Sequence, residues 1–317
     1  AFAVVNTSVD LATSALDHRI PAGRRRMSTP QLAAAAGARL VPGRLRAFAR
    51  GQGTLTAAAV VVALVVLAAV CAPLLAPYDP NAVDPLAVSQ GSSAAHWLGT
   101  DDTGRDLLSR LLYGARPSLL APAVITVVAG TVGTALAVTA AWLGGWWDRL
   151  VSAALDVVFG FPGLVLAVVG AAVFGAGLDI AVATLSLAYL PYVARVVRSG
   201  ALRERALPYI SALEMLGMSG PRICLRHLVP NLLPLVLVQA TTSFGYTMLD
   251  VAAFSFIGLG TQPPSAEWGL MVAGGTPGIL AGRPEQSLYA GAVIVVFVVA
   301  CNVLGSGLSR RLLGAQR

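Results

Sequence analysis

The chain has 317 residues, 56% of them hydrophobic and 12% charged, with a formal net charge of +7. Soluble domains carry about a quarter charged residues, so a mean hydropathy of +0.74 excludes a water-soluble globule. All 22 basic residues are arginines, which also excludes lysine-dependent P-loop, Schiff-base and protein-kinase chemistry.

Residues 1–53 are rich in Ala and Arg without sustained periodicity and are expected to form a flexible cytoplasmic tail. Met27 is the first methionine and a candidate start. No secretory signal peptide is expected, because the first long apolar run follows the basic cluster. Six membrane crossings are predicted beyond it, within Leu55–Leu75, Pro117–Trp147, Val157–Phe174, Ile180–Ala194, Leu228–Phe256 and Leu288–Leu308. The fourth is short, ending on Arg195 and Arg198, whose stems can snorkel; the fifth is interrupted by Asp250. The expected class is therefore all-α, a polytopic membrane protein whose transmembrane domain covers 54–317.

Arginine bias sets the expected orientation. The even count puts both termini on one side, with Arg24–Arg26, Arg39, Arg44, Arg46, Arg50, Arg149, the arginines from Arg195 to Arg226, Arg310, Arg311 and Arg317. The other side keeps Arg105, Arg110, Arg116 and Arg283 beside most of the acids. Both termini are thus predicted cytoplasmic, and this asymmetry accounts for the net charge without nucleic acid.

The segment Arg195–Asn231 is long for a connection between spans. Arg198–Leu207 extends the fourth helix; Pro208 then permits a new first turn and Gly217 is placed to end it. Ile210, Leu213 and Leu216 recur at helical spacing beside Tyr209 and Met215, giving an apolar face. Spacing alone leaves two readings open: a helix lying on lipid or its own bundle, or a peg for a soluble partner's groove.

Three blocks bear on this choice. Tyr209-Ile-Ser-Ala-Leu-Glu-Met-Leu-Gly217, followed by Arg226-His-Leu-Val-Pro230-Asn231, resembles the EAA loop of ABC importer permeases of the dipeptide and oligopeptide (and nickel) family, C-type. Ala212, Gly217 and Pro230 match that pattern, while Ser211, Leu213 and Val229 depart from it. Leu98–Arg116 is similar to the signature preceding the family's second helix, and Ser255–Pro264 with Trp268–Met271 to the loop after its fifth. The resemblance covers Leu55 to the C-terminus. It implies a cytoplasmic coupling loop over 198–231, with Tyr209, Ser211, Ala212, Leu213, Glu214, Leu216, Gly217 and Met218 meeting an ATPase. It also implies a related second permease, two ATPase subunits, an extracytoplasmic binding protein, and residence in a bacterial cytoplasmic membrane.

Asp156, expected to cap the third span, and Asp250, within the fifth, are acids at membrane positions and should not face lipid. The resemblance implies that they line the translocation path or bridge to the second permease. Asp102 or Thr103 is expected to cap a separate outer helix carrying Arg105–Leu112, with Asp106 and Arg110 paired at i,i+4. Pro263 and Pro264 mark a stiff turn, and Trp268 is expected at the membrane interface. Small residues at Gly130, Gly133, Ala171 and Gly175 offer close helix approach.

The leading expectation is a non-catalytic permease subunit without its own cofactor, since Cys71, Cys224, Cys301, His18, His96 and His227 lack metal-binding spacing. A proton-coupled secondary transporter would ask for more intramembrane relays. An intramembrane hydrolase would need a catalytic constellation at depth. Peptide, nickel and glutathione importers share the pattern, so the solute stays open.

Overall fold

The computed structural model describes residues 42–312, with side chains from 53 to 311. The tail expected over 1–53 lies outside the described residues up to residue 41, and residues 42–53 are helical. Residues 1–50 and 51–317 form two units by contact; the architecture below concerns the second.

The elements are α1 (Pro42–Val70), α2 (Ala72–Leu75), α3 (Leu107–Leu143), α4 (Gly145–Phe159), α5 (Gly163–Phe174), α6 (Leu178–Arg205), α7 (Pro208–Met215), α8 (Gly220–Ile223), a π turn (Cys224–Leu228), α9 (Val229–Phe256), α10 (Trp268–Gly274), α11 (Thr276–Leu280) and α12 (Glu285–Leu312). Among the described residues the one β feature is an isolated bridge between Thr100 and Asp106. Among the described residues, five helices are long and apolar enough to cross a membrane, or six if α4 and α5 together make one bent span.

That bent pair corrects the third expected span. Val157–Phe174 is not one helix: α4 ends at Phe159, and α5 leaves at 83° after a break at Gly160–Pro162. Pro162 supplies no N–H and restricts the residue before it, so an apolar run continuous in hydropathy is interrupted in backbone. The second span is corrected too. It starts at Leu107, absorbing the expected separate outer helix, and Pro117 and Pro122 lie inside α3. Such prolines are tolerated in membrane helices because neighbours re-satisfy the freed carbonyls.

α3 packs along α6, and α9 packs against α12, α3 and α6. The α3–α6 crossing is close because Gly133 faces Val193; a Cβ there would sit 3.2 Å from the Val193 Cβ. Gly130, by contrast, faces open space. One buried cluster joins Leu107, Met248, Trp268, Met271 and Phe297; others centre on Val193, Val197 and Leu228 and on Ile125, Leu185 and Phe254.

The loop before α3 is built around two aspartates. Asp106 caps α3, accepting from the Ser109 N–H at 2.8 Å, and also meets His96 Nδ1 at 3.0 Å. Neither Asp102 nor Thr103 is the cap. Arg110 does not pair with Asp106: it lies 3.5 Å from Asp101 and donates to the carbonyls of Pro80 and Ser265, both at 3.0 Å. These contacts tie three chain segments together. Trp268 is corrected from an interface aromatic to a core residue, 2% exposed, with Nε1 donating to the Leu111 carbonyl at 2.9 Å. Pro263–Pro264 is a cis bond.

Candidate functional site

α7 forms where turn chemistry places it. Pro208 occupies the first turn, where a missing N–H costs no helical bond. At the other end Gly217 has φ of +79°. The Met218 N–H bonds the Leu213 carbonyl at 3.1 Å and the Gly217 N–H bonds that of Glu214 at 2.9 Å. This is the paired 6→1 and 5→2 pattern of a Schellman stop. Glycine is required by the dihedral alone, since a Cβ there would meet nothing within 4 Å.

The apolar face expected from spacing divides in two. Ile210 is 1% exposed and Leu213 is partly covered, whereas Met215 and Leu216 are 83% and 81% exposed. Ser211, Ala212 and Glu214 are exposed as well, while Met218 is partly covered. Ile210 therefore fastens α7 to the bundle, and the α7 C-terminus presents two large apolar side chains outward.

The base of α7 is fixed by Tyr209 and Asn231 together with Glu204, which sequence reasoning did not single out. The Tyr209 hydroxyl donates to Glu204 Oε1 at 2.7 Å, and Asn231 Nδ2 donates to the same oxygen at 2.7 Å. Burial, then the Glu204 carboxylate, pushes the Tyr209 hydroxyl up to about 12. Glu204 ends α6, Tyr209 begins α7 and Asn231 begins α9, so one carboxylate joins three helices. The π turn lies just before α9, where Pro230 and Pro234 remove two N–H donors from the ladder. Arg205 adds a brace, donating to the Ala141 carbonyl and lying 5.0 Å over the Trp142 ring.

The two membrane acids are not brought together. Asp156 sits in the last turn of α4, not at a helix start, so the capping role is corrected. It pairs with Arg195 at 2.7 Å, and that guanidinium stacks 3.8 Å from the Phe159 ring centre. Asp250 on α9 accepts from the Tyr189 hydroxyl of α6 at 2.7 Å. No sequence pattern points to a pair so distant along the chain; an acid in an apolar span only signals that some partner is needed. The α4–α6 contact is closed by Arg198, which donates to both oxygens of Asp148 at 2.6 Å.

The described residues thus form a bundle of long apolar helices with one short helix, α7, tied at its base to α6 and α9. Residues 130–314 match the family described as binding-protein-dependent transport system inner membrane component. The chain is 37% identical over 259 residues to the "Probable D,D-dipeptide transport system permease protein DdpC" of Escherichia coli (strain K12), covering 82% of this chain and 87% of that one. It is 36% identical to the dipeptide transport system permease protein DppC of Alkalihalophilus pseudofirmus, covering 78% and 82%. It is also 36% identical to the glutathione transport system permease protein GsiD of Escherichia coli O6:K15:H31, covering 83% and 86%. A solved inward-facing structure of the MetNI methionine ABC transporter shares the fold at a TM-score of 0.53 and 19% identity, over 65% of this chain and 97% of that one. The chain belongs to the binding-protein-dependent transport inner-membrane family, within its dipeptide and oligopeptide permeases.

Proposed function

We propose that this chain forms half of the translocation pathway of an ATP-driven importer for di- or oligopeptides or a similar small solute. In this reading 198–231 is the coupling segment, cytoplasmic together with both termini, and 54–317 is the transmembrane domain. The partners are a related second permease, two ATPase subunits and an extracytoplasmic binding protein. ATP and Mg would be bound by the ATPases, leaving this subunit non-catalytic and without its own cofactor.

The observation that carries the coupling role is α7 itself. Met215 and Leu216 stand exposed at the end of a helix whose base is tied to α6 and α9 through Glu204. A groove closing on those side chains would push on both long helices at once, because the hydrogen-bonded base resists independent movement of α7. The relatives named for dipeptides and glutathione support a peptide solute. Asp250 is assigned to the pathway or the permease interface, and Asp156 to the α4–α6 edge.

Single-cysteine labelling in sealed cells, with the three native cysteines replaced, tests the topology. Positions Asp84 and Gln262 should react from outside and Ser211 only after permeabilisation. Labelling of Ser211 from outside would overturn the orientation. Hydrolysis of ATP should require added ATPase subunits; a sustained rate from this polypeptide alone would overturn the division of labour.

A further inference from the structure

The fifth expected span carries a polar stripe that its overall apolarity hides. Gln239, Ser243, Tyr246 and Asp250 follow one another at steps of four, three and four residues, so they lie on one side of α9 over about 16 Å. Gln239 Nε2 is 3.4 Å from the Ser243 hydroxyl. Tyr246 is 54% exposed. On α6 the Tyr189 hydroxyl is bonded to Asp250, and the Tyr189 and Tyr192 rings lie 5.7 Å apart, with Tyr192 51% exposed.

The Asp250 carboxylate is unsuited to lipid, because a charge at depth faces a bundle interior or water, and Tyr192 and Tyr246 stand exposed beside it on α6 and α9. Only one Asp250 oxygen has a hydrogen-bond donor among the described residues, that from Tyr189. The other is free to accept. Tyrosine faces attract cations, and a carboxylate beside them adds charge-assisted hydrogen bonding. Arg195, further along α6, is already held by Asp156 and stacked on Phe159. The geometry points to Asp250, with Tyr189, Tyr192 and Tyr246, as a way-station for a primary ammonium group on an aqueous pathway along this stripe. This rests on the permease reading and deepens it: the moving solute would carry an amino group, as an unblocked peptide does.

The test uses the assembled complex with its second permease and ATPases, in a background without native cysteines. Tyr246→Cys is treated with cationic trimethylammonium-ethyl or anionic sulfonatoethyl methanethiosulfonate, each rate normalised to that with a free thiol. Leu64→Cys on α1 sets the background for an apolar face. Tyr246→Cys should react well above that background, with the cationic reagent favoured about tenfold by one nearby negative charge. Asp250→Asn should abolish the preference. Tyr189→Phe, which withdraws the carboxylate's donor, should raise it, and this second variant decides the matter if Asp250→Asn does not assemble. Reaction no faster than at Leu64→Cys, or a preference unmoved by the substitutions, would overturn the site. Co-purification of the ATPases is scored on the same samples: its absence in every preparation strikes the permease reading, whereas normal assembly without cation preference strikes this site alone.

Discussion

The Tyr209 hydroxyl donates to Glu204 across the junction between α6 and α7 at 2.7 Å, and Asn231 reaches both members of that pair, at 2.7 and 3.0 Å. The result is a three-helix node at the root of the short helix. Pro208 intervenes between Glu204 and Tyr209, so the backbone ladder is broken there and side chains must carry the connection.

Removing the donor tests the node. Tyr209→Phe should cost about 1 kcal/mol locally, or about fivefold in the opening of residues 208–218, read by hydrogen exchange. The hydroxyl's raised value, about 12, fixes the sign of the pH effect. The node's contribution is fully present below the ordinary tyrosine value of about 10 and is lost as pH rises through about 12. Protection should therefore be the same at pH 7 and pH 9 once intrinsic exchange is corrected. Wild-type protection in Tyr209→Phe would show that the node does not restrain α7.

Asp101 offers a second check, in the loop ahead of α3. Burial pushes its carboxyl up, but hydrogen bonds from Arg105 and Thr103 outweigh this and hold it below the usual range. A depressed carboxylate stabilises above its unfolded value near pH 4, and the contribution is lost as pH falls through the lower folded value. Asp101→Asn should lower stability by about 2 to 3 kcal/mol at pH 7, leaving Arg110 without its charge partner. Thermal unfolding in detergent at pH 7 and pH 3 should show the difference between the two proteins shrinking in acid. A constant difference would contradict the assignment.

What was legible in the chain is what local chemistry determines. Pro208 and Gly217 mark the ends of α7 without reference to anything distant, and uncharged length marks the long helices. Hydropathy, however, counts side chains and is insensitive to backbone breaks, so the bend after Phe159 leaves no mark in it although Gly160, Pro162 and Gly163 stand together there. Partners remote in sequence were equally illegible. Trp268 reads as an interface aromatic until Leu111 is brought beside it, and Ile210 belongs to the same spacing as Leu216 until the bundle covers one and leaves the other bare.

Close approach near that tryptophan gives a packing prediction. A Cβ on Gly114 would overlap the Ala266 carbonyl oxygen and lie 3.1 Å from Trp268 Cδ1. Gly114→Ala must therefore displace the segment before α10 or bend α3, at a cost of about 2 kcal/mol or more. A lowered unfolding temperature with increased Trp268 fluorescence quenching by a water-soluble quencher is expected. Unchanged stability would mean that the two segments do not meet this closely.

The exposed end of α7 separates coupling from folding. Ile210→Ala removes a buried anchor and should destabilise the segment by about 2 to 4 kcal/mol. Met215→Ala and Leu216→Ala change side chains already in the open, so neither should move the unfolding temperature of the isolated chain. If a groove on an ATPase covers them, each should weaken recruitment by about 1 to 3 kcal/mol as a buried interface anchor. Leu213→Ala, partly covered within the chain, should do some of both. Gly217→Val acts differently, because a β-branched residue resists φ of +79° although the space around it is open. It should misdirect the helix end, lowering uptake while every membrane span stays inserted, whereas Gly217→Asn, which tolerates the left-handed region, should retain more activity. Co-purification of the ATPases and reconstituted uptake measure these effects. Should α7 lie on lipid, recruitment would be normal in all the variants, and wild-type recruitment with wild-type uptake in Leu216→Ala and Gly217→Val would remove this segment from the coupling mechanism.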